Sequence, residues 1–74
     1  MTVNVKLFAT LRINRFSEKK IEVMPKTTIK ELIKELGLPF EEVSIIFVNG
    51  RHAKPETELK DNDEVAIFPP IGGG

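Results

Sequence analysis

The order of hydrophobic patterns in this 74-residue chain predicts an α+β domain, in which one helix packs across one face of a mixed β-sheet. Two segments with a period of two residues come first, a segment with the helical period follows, and two further strand-like segments complete the chain. A single helix between two pairs of strands can bury its apolar side against the sheet that those strands form. The predicted order of elements is therefore strand, strand, helix, strand, strand (ββαββ).

The first two strands are predicted in the amino-terminal third. Apolar and polar residues alternate from Thr2 to Leu7, which is typical of a strand with one solvated face. Ile21 and Val23 repeat this alternation until Pro25 interrupts it. Residues 11–17, in which polar residues interrupt apolar ones, are expected to connect the two segments as a hairpin.

The helix is predicted from Ile29 to Leu36. Its apolar residues have the spacing i, i+3, i+4 and i+7, which places them on one side of a helix: Ile29, Leu32, Ile33 and Leu36. Thr28 and Glu31 have the spacing of a capping box, and Gly37 suits the left-handed position after the last turn. Phe40, which follows the helix, is expected to enter the core.

Two strands are predicted in the carboxyl-terminal half. Residues 44–48 are apolar and β-rich, which favours a strand buried on both faces. Asn49 and Gly50 form a dipeptide that favours a two-residue hairpin turn, so residues 51–53 are expected to return as a short strand. Residues 64–68 are expected to form the last strand.

The arrangement that lets such a short chain bury its helix places the first and last strands side by side and parallel at the centre of the sheet. This arrangement is the β-grasp, or ubiquitin-like, fold. We therefore expect a β-grasp domain over residues 1–70 and a flexible carboxyl-terminal glycine tail over residues 71–74. The tail would leave from one end of a rigid sheet.

The composition excludes several classes of function. Eleven lysines and arginines balance eleven aspartates and glutamates, which argues against binding to nucleic acid or to an anionic membrane. The chain has no cysteine, and His52 is its one histidine, so a thiolate or paired-histidine metal site is not expected. It has no signal peptide and no apolar run near the roughly 20 residues of a membrane span. We expect a cytoplasmic protein.

The three glycines that end the chain indicate where its chemistry lies. Glycine has no side chain that could pack or act as a ligand, so a reactive group at this end must be the carboxylate of Gly74. A glycine segment can pass through a channel too narrow for other residues. Pro69 and Pro70 stiffen the segment that precedes it and end the strand ladder. A frayed terminus is the alternative interpretation of such a run.

Three segments identify a family when they are taken together. They are LFATLR at residues 7–12, VNG at residues 48–50 and LKDNDEVAIFPP at residues 59–70, which is followed by the terminal glycines. This combination resembles the MoaD/ThiS family of sulfur carriers along nearly the whole chain. The double proline and the opening motif resemble the MoaD branch, the small subunit of molybdopterin synthase, more than the ThiS branch of the thiazole pathway.

The resemblance implies a mode of action. An adenylating enzyme of the ubiquitin-E1 type would activate the Gly74 carboxylate with ATP, and a sulfur donor would then displace AMP to leave a terminal thiocarboxylate. In the MoaD branch, the large subunit of molybdopterin synthase would use that sulfur to build molybdopterin. The chain would be a carrier with no bound cofactor, not an enzyme. Gly73 and Gly74 match the diglycine of the family, whereas Gly72 has no assigned role.

The resemblance also implies a docking surface for the partner. Phe8 and Phe68 match aromatic positions of a hydrophobic patch near the tail, and the alternative is that one or both rings belong to the core. Arg12 could pair with an acidic residue of the partner, or it could be a solvated surface arginine. Three residues at the exit of the tail complete the predicted contact set: Pro69, Pro70 and Ile71.

Three alternatives remain open at this point. The sulfur could serve thiamine thiazole synthesis, as in the ThiS branch. The activated Gly74 carboxyl could instead be transferred to a lysine amine, as in a ubiquitin-like modifier. A β-grasp interaction domain with an inert tail is the third. The first two begin from the same adenylate, and they differ in the nucleophile that follows.

Overall fold

A computed structural model describes residues 1–70 of the chain. Within this range it contains five strands, one α-helix and two 3₁₀ turns. In chain order the elements are β1 (Thr2–Leu7), a 3₁₀ turn (Ala9–Arg12), β2 (Glu18–Glu22), α1 (Ile29–Glu35), a second 3₁₀ turn (Phe40–Glu42), β3 (Ile45–Val48), β4 (Arg51–His52) and β5 (Glu64–Phe68). The tail predicted over residues 71–74 lies outside the described residues.

The five strands form one mixed sheet in the order β2-β1-β5-β3-β4. The first and last strands are neighbours and run parallel, with Val5 opposite Val65 and Leu7 opposite Ile67. The other pairs of strands are antiparallel. This arrangement is the β-grasp fold, and it confirms the predicted position of β1 and β5 near the centre of the sheet.

The core lies between one face of the sheet and α1. Alternate residues of β1 and β5 point to this face and are fully buried, which is why both strands have a period of two. The helix contributes three buried residues to the same cluster, and Leu59 reaches it from the long connection before β5. The core residues are Val3, Val5, Leu7, Leu11, Val23, Ile29, Leu32, Ile33, Leu38, Ile46, Leu59, Val65 and Ile67.

Both ends of α1 are capped as predicted. Thr28 Oγ1 accepts a hydrogen bond from the Glu31 backbone N–H at 3.2 Å, and Glu31 Oε1 accepts one from the Thr28 N–H at 2.9 Å. Gly37 has a φ of +73°, and the Leu38 N–H donates to the Ile33 carbonyl at 3.2 Å, as in a Schellman motif. The helix ends at Glu35, and half-buried Leu36 is its C-cap.

The turn between β3 and β4 also forms as predicted. Asn49 and Gly50 have φ values of +53° and +80°, which is the conformation of the two central residues of a type I′ turn. Val48 and Arg51 are opposite each other at the ends of the two strands. The turn keeps β4 at the edge of the sheet.

Three local expectations are corrected by the structure. Phe40 does not enter the core: its side chain is 45% exposed, because it begins a 3₁₀ turn on the surface. The segment around β3 is buried on one face only, since Ile46 is buried whereas Ile45 and Phe47 are half-buried. β2 begins at Glu18, earlier than the alternation of Ile21 indicated, because pairing with β1 extends it through charged residues.

Candidate functional site

The face of the sheet that points away from α1 is divided into a polar half and an apolar half. Asn4 and Lys6 of β1 and Glu64 of β5 occupy the polar half. The apolar half lies at the end of the sheet where β5 finishes, since Ile45 and Phe68 are directly opposite each other there. The chain leaves the sheet at this same end and continues into the tail.

Four rings form a continuous aromatic strip across this apolar half: Phe8, Phe68, Phe47 and His52. The rings of Phe8 and Phe68 are stacked, with centroids 4.3 Å apart and planes at 8°. Phe47 meets Phe68 edge to face at 5.8 Å, and His52 meets Phe47 edge to face at 5.2 Å. Edge-to-face pairs at these distances are favourable geometries. The aromatic strip therefore runs from the end of β1 across β5 and β3 to β4.

The positions of the strands bring these rings together. Phe8 follows β1 and Phe68 ends β5, and the parallel register of the two strands places their last outward-facing residues side by side. Phe47 and His52 are directly opposite each other in the β3–β4 hairpin. The rings of Phe8 and Phe68 are half-buried and lie outside the core cluster. The alternative that they are core residues is therefore wrong.

Arg12 covers the first ring of the aromatic strip. Its guanidinium lies 5.3 Å from the centroid of the Phe8 ring, which is within the range of a cation–π contact. Its Nε donates a hydrogen bond of 2.7 Å to the Leu7 carbonyl. The 3₁₀ turn Ala9–Arg12 directs the side chain back over the end of β1. Arg12 remains exposed, so the guanidinium can still meet an acidic group.

An ion pair borders the aromatic strip on its polar side. Lys6 Nζ lies 2.8 Å from Glu64 Oε1. The hydrogen bond to Glu64, together with the negative charge of that carboxylate, raises the pKa of Lys6 above its ordinary value of 10.5. Lys6 is therefore charged at neutral pH, and it is paired with the Glu64 side chain. Arg12 is the cation that lies over a ring of the aromatic strip.

The remaining predicted contact residues differ in their exposure to solvent. Pro69 is buried, whereas Pro70 is exposed, so Pro70 is the proline whose ring is accessible from outside the domain. Ile71 and the glycines Gly72, Gly73 and Gly74 lie outside the described residues. The structure therefore describes the surface beside the tail but not the tail itself.

Phe47 and His52 belong to the aromatic strip, although they are not among the residues predicted for the site. The apolar pattern of residues 44–48 predicts a strand buried on both faces, and a single histidine gives no local signal of a site. The sequence does contain a signal for the pairing of Phe47 with His52. A two-residue turn at Asn49–Gly50 sets the register of the hairpin and places these two residues opposite each other. Their proximity to Phe68 depends on β3 lying next to β5, which no local pattern reveals.

A groove lies on the other side of His52, between β4 and the connection that precedes β5. It has a volume of about 560 Å³ and is open to solvent. Its lining includes charges of both signs: Arg51, Lys54, Glu58, Lys60 and Asp63. This mixture selects no particular ligand charge. Among residues 1–70, no group of three or more His, Cys, Asp or Glu side chains is placed to hold a metal ion.

A model of the ThiS family matches residues 5–74. A solved structure described as molybdopterin converting factor, subunit 1, from Pyrococcus furiosus is 32% identical, and the alignment covers 96% of this chain and 99% of that one with a TM-score of 0.80.

Two further solved structures are similar. A chain in the complex of subunits 1 and 2 of the molybdopterin-converting factor from Helicobacter pylori 26695 is 25% identical, with all of both chains covered and a TM-score of 0.64. Small archaeal modifier protein 1 from Haloferax volcanii is 21% identical over 95% of this chain and 98% of that one, with a TM-score of 0.78. The likeness to the Haloferax volcanii protein is one of fold alone.

No helix within residues 1–70 has the length and apolar character that crossing a bilayer requires.

Proposed function

Because this chain belongs to the ThiS family, we propose that it carries sulfur as a thiocarboxylate on Gly74 and delivers it in molybdopterin biosynthesis. The chain is not itself an enzyme in this proposal. It supplies a carboxylate on a segment without side chains and a surface on which enzymes can dock. The likeness to molybdopterin converting factor subunit 1 from Pyrococcus furiosus supports this branch of the family.

The chemistry takes place at the terminal carboxylate in two steps. A Gly74 carboxylate oxygen attacks the α-phosphorus of ATP in the active site of an E1-like enzyme, and pyrophosphate leaves. Hydrosulfide, or a donor that supplies its equivalent, attacks the carbonyl carbon of the adenylate, and AMP leaves. The product is a terminal thiocarboxylate. Adenylation is needed because a free carboxylate is a poor electrophile, and AMP is a far better leaving group than an oxide ion.

The observation that carries the proposal is the position of the aromatic strip. Phe68 is the last residue of β5 and stacks on Phe8, so a partner that covers these rings lies directly beside the start of the tail. At roughly 3.3–3.6 Å for each extended residue, residues 71–74 can extend more than about 10 Å beyond Pro70. Docking on the strip would therefore place the Gly74 carboxylate inside an active site of the partner.

The partner in the final step is proposed to be a larger subunit. The similar chain from Helicobacter pylori is in a complex of subunits 1 and 2 of a molybdopterin-converting factor, which supports the same kind of assembly here. Aromatic residues, including phenylalanine, and arginine are enriched at protein–protein interfaces relative to the rest of the surface. We assign Phe8, Phe68 and Arg12 to this contact.

Intact-mass analysis tests the proposal. The purified chain is incubated with ATP, its cognate E1-like enzyme and a sulfide source. We expect the mass to increase by the difference between one sulfur and one oxygen atom, and the tail fragment to carry the change. A variant that lacks Gly74 and a variant with one alanine added after Gly74 should remain unchanged in mass while they unfold at the same temperature as the wild type.

Other results would contradict the proposal in distinct ways. Adducts linked to lysine amines, without any thiocarboxylate, would indicate a protein modifier. A sulfur-loaded chain that supports thiazole formation, but not molybdopterin formation, would place the carrier in the thiamine pathway. An unmodified chain in the presence of an active E1-like enzyme would indicate that the tail is inert.

A further inference from the structure

A small apolar pocket lies on the helix side of the domain, across the sheet from the aromatic strip. It is formed between α1 and the 3₁₀ turn Phe40–Glu42, and its volume is about 200 Å³. Its lining consists of Lys30, Ile33, Lys34, Leu38 and Phe40. The chemistry proposed for Gly74 does not involve this pocket.

The floor of the pocket is apolar. Ile33 and Leu38 are buried, and Phe40 covers one side with a ring that is 45% exposed. At roughly 30 Å³ for each water molecule, the space could hold several waters, and its lining offers them few polar partners. Displacing such waters with an apolar group favours binding. The volume suits one bulky side chain.

The rim of the pocket is positively charged. Lys30 and Lys34 are four residues apart on α1 and therefore lie on the same side of the helix, where two like charges repel each other. No acidic residue lines the pocket, and within residues 1–70 neither lysine forms an ion pair. A carboxylate placed between these two ammonium groups would relieve their repulsion.

We propose that this pocket docks a partner segment that carries a bulky apolar side chain next to carboxylates. The apolar side chain would occupy the space beside Phe40, and the carboxylates would meet Lys30 and Lys34. The proposal is independent of the sulfur chemistry. Because the pocket and the aromatic strip are on opposite faces of the sheet, such a partner can stay bound while an enzyme holds the tail.

Three short peptides probe this chemistry: the acetylated, amidated tripeptides Asp-Phe-Asp, Lys-Phe-Lys and Asp-Ala-Asp. Binding is followed by the NMR shifts of the methyl groups of Ile33 and Leu38. We expect the first peptide to bind about fivefold more tightly than the second, as two exposed ion pairs allow. The third peptide should bind more weakly than the first, because it cannot fill the apolar space.

Charge reversal makes the test specific. In the double variant Lys30→Glu and Lys34→Glu, the preference should invert, so that Lys-Phe-Lys binds more tightly than Asp-Phe-Asp. The matched control is Lys20→Glu with Lys26→Glu, which reverses two exposed lysines outside the pocket, and it should keep the wild-type preference.

The proposal is overturned if no peptide shifts the methyl groups of Ile33 and Leu38, if the acidic and basic peptides bind equally, or if the shifts centre on Phe8 and Phe68. None of these results affects the formation of a thiocarboxylate, which is measured by mass. The two proposals can therefore fail separately.

Discussion

Ile67 and Phe68 are adjacent in the chain, but they serve opposite faces of β5. Ile67 is fully buried against α1, whereas Phe68 is half-buried in the aromatic strip. We propose that this alternation separates a residue that supports folding from a residue that supports docking. The pair therefore allows stability and partner binding to be tested independently.

We expect Phe68→Ala to weaken binding of the larger subunit by at least about 2 kcal/mol, which is typical of an interface hot spot. Ile67→Ala should instead destabilise the fold by about 2–5 kcal/mol, because it leaves a cavity in the core. Urea unfolding and calorimetric titration with the larger subunit measure the two effects. A Phe68→Ala variant with unchanged affinity would contradict the assignment of the aromatic strip.

Asp63 is a buried charged residue that joins three segments. Its side chain is 8% exposed, and its two oxygens accept hydrogen bonds from Asn49 Nδ2 at 2.8 Å and from the Lys60 N–H at 2.7 Å. Asn49 Oδ1 accepts in turn from the Glu64 N–H at 2.9 Å. Asp63 therefore connects the β3–β4 turn to the start of β5.

Replacing this carboxylate should destabilise the domain without touching the docking surface. In Asp63→Asn one acceptor oxygen becomes a donor that faces another donor, so we expect a loss of about 1–3 kcal/mol. The control is Asp61→Asn, because Asp61 is exposed and accepts from the Thr2 N–H through one oxygen that an amide also provides. Equal unfolding midpoints for the two variants would show that the buried network contributes nothing.

At the scale of the element, α1 is too short to be stable without its caps. It has seven residues, and isolated helices of this length do not persist in water. Burial of three side chains and the capping box at Thr28 and Glu31 hold it in place. The capping box also gives the helix a dependence on pH.

The hydrogen bond from the Thr28 backbone N–H lowers the pKa of Glu31 below its ordinary value of 4.5, and the Thr28 hydroxyl lowers it further. A carboxyl group whose pKa is depressed in the folded state stabilises that state above the unfolded pKa. This contribution is lost as the pH falls from about 4.5 through the lower folded value. The stabilisation by Glu31 is therefore complete at neutral pH.

We expect the melting temperature of Glu31→Gln to depend less on pH in the acidic range than that of the wild type. The difference between the melting temperatures of wild type and variant should be largest near neutral pH and should shrink below pH 4.5. Glu41→Gln is the matched control, because Glu41 is exposed and outside the helix, and it should follow the wild-type profile. A constant difference at every pH would exclude the capping carboxylate as its cause.

At the scale of the whole molecule, the sheet is held together by contacts between the two ends of the domain. β1 and β5 are adjacent and parallel, although more than fifty residues separate them in the chain. Both contribute fully buried residues to the core, whereas β2 and β4 lie at the edges and are largely exposed. Separating β1 from β5 would dismantle the core, whereas an edge strand can open locally.

Amide hydrogen exchange measures this difference. We expect the amides bonded between β1 and β5, including the Phe8 N–H that donates to the Ile67 carbonyl, to exchange only through global unfolding. Amides of β2 and β4 should exchange faster through local opening. Uniform protection across all five strands would show instead that the sheet opens as one unit.

Several features follow from local sequence patterns and agree with the structure. The period of two in β1, the apolar side of α1, the capping box and the Asn49–Gly50 turn each depend on residues that are close in the chain. The parallel pairing of β1 with β5 was also predicted, because the order of elements leaves few ways to bury one helix in so short a chain. The functional importance of Gly74 stays a prediction.

The sequence by itself determined the order of strands and helix, the apolar side of α1 and the family, because each is encoded in local periodicity or in contiguous motifs. Tertiary structure alone decided that Phe47 and His52 join Phe8 and Phe68 in one strip, that Asp63 is buried, and that Phe40 is exposed beside two lysines. These facts depend on which strands become neighbours and on how the connections cross the sheet. Such long-range pairings place side chains together that no local pattern relates.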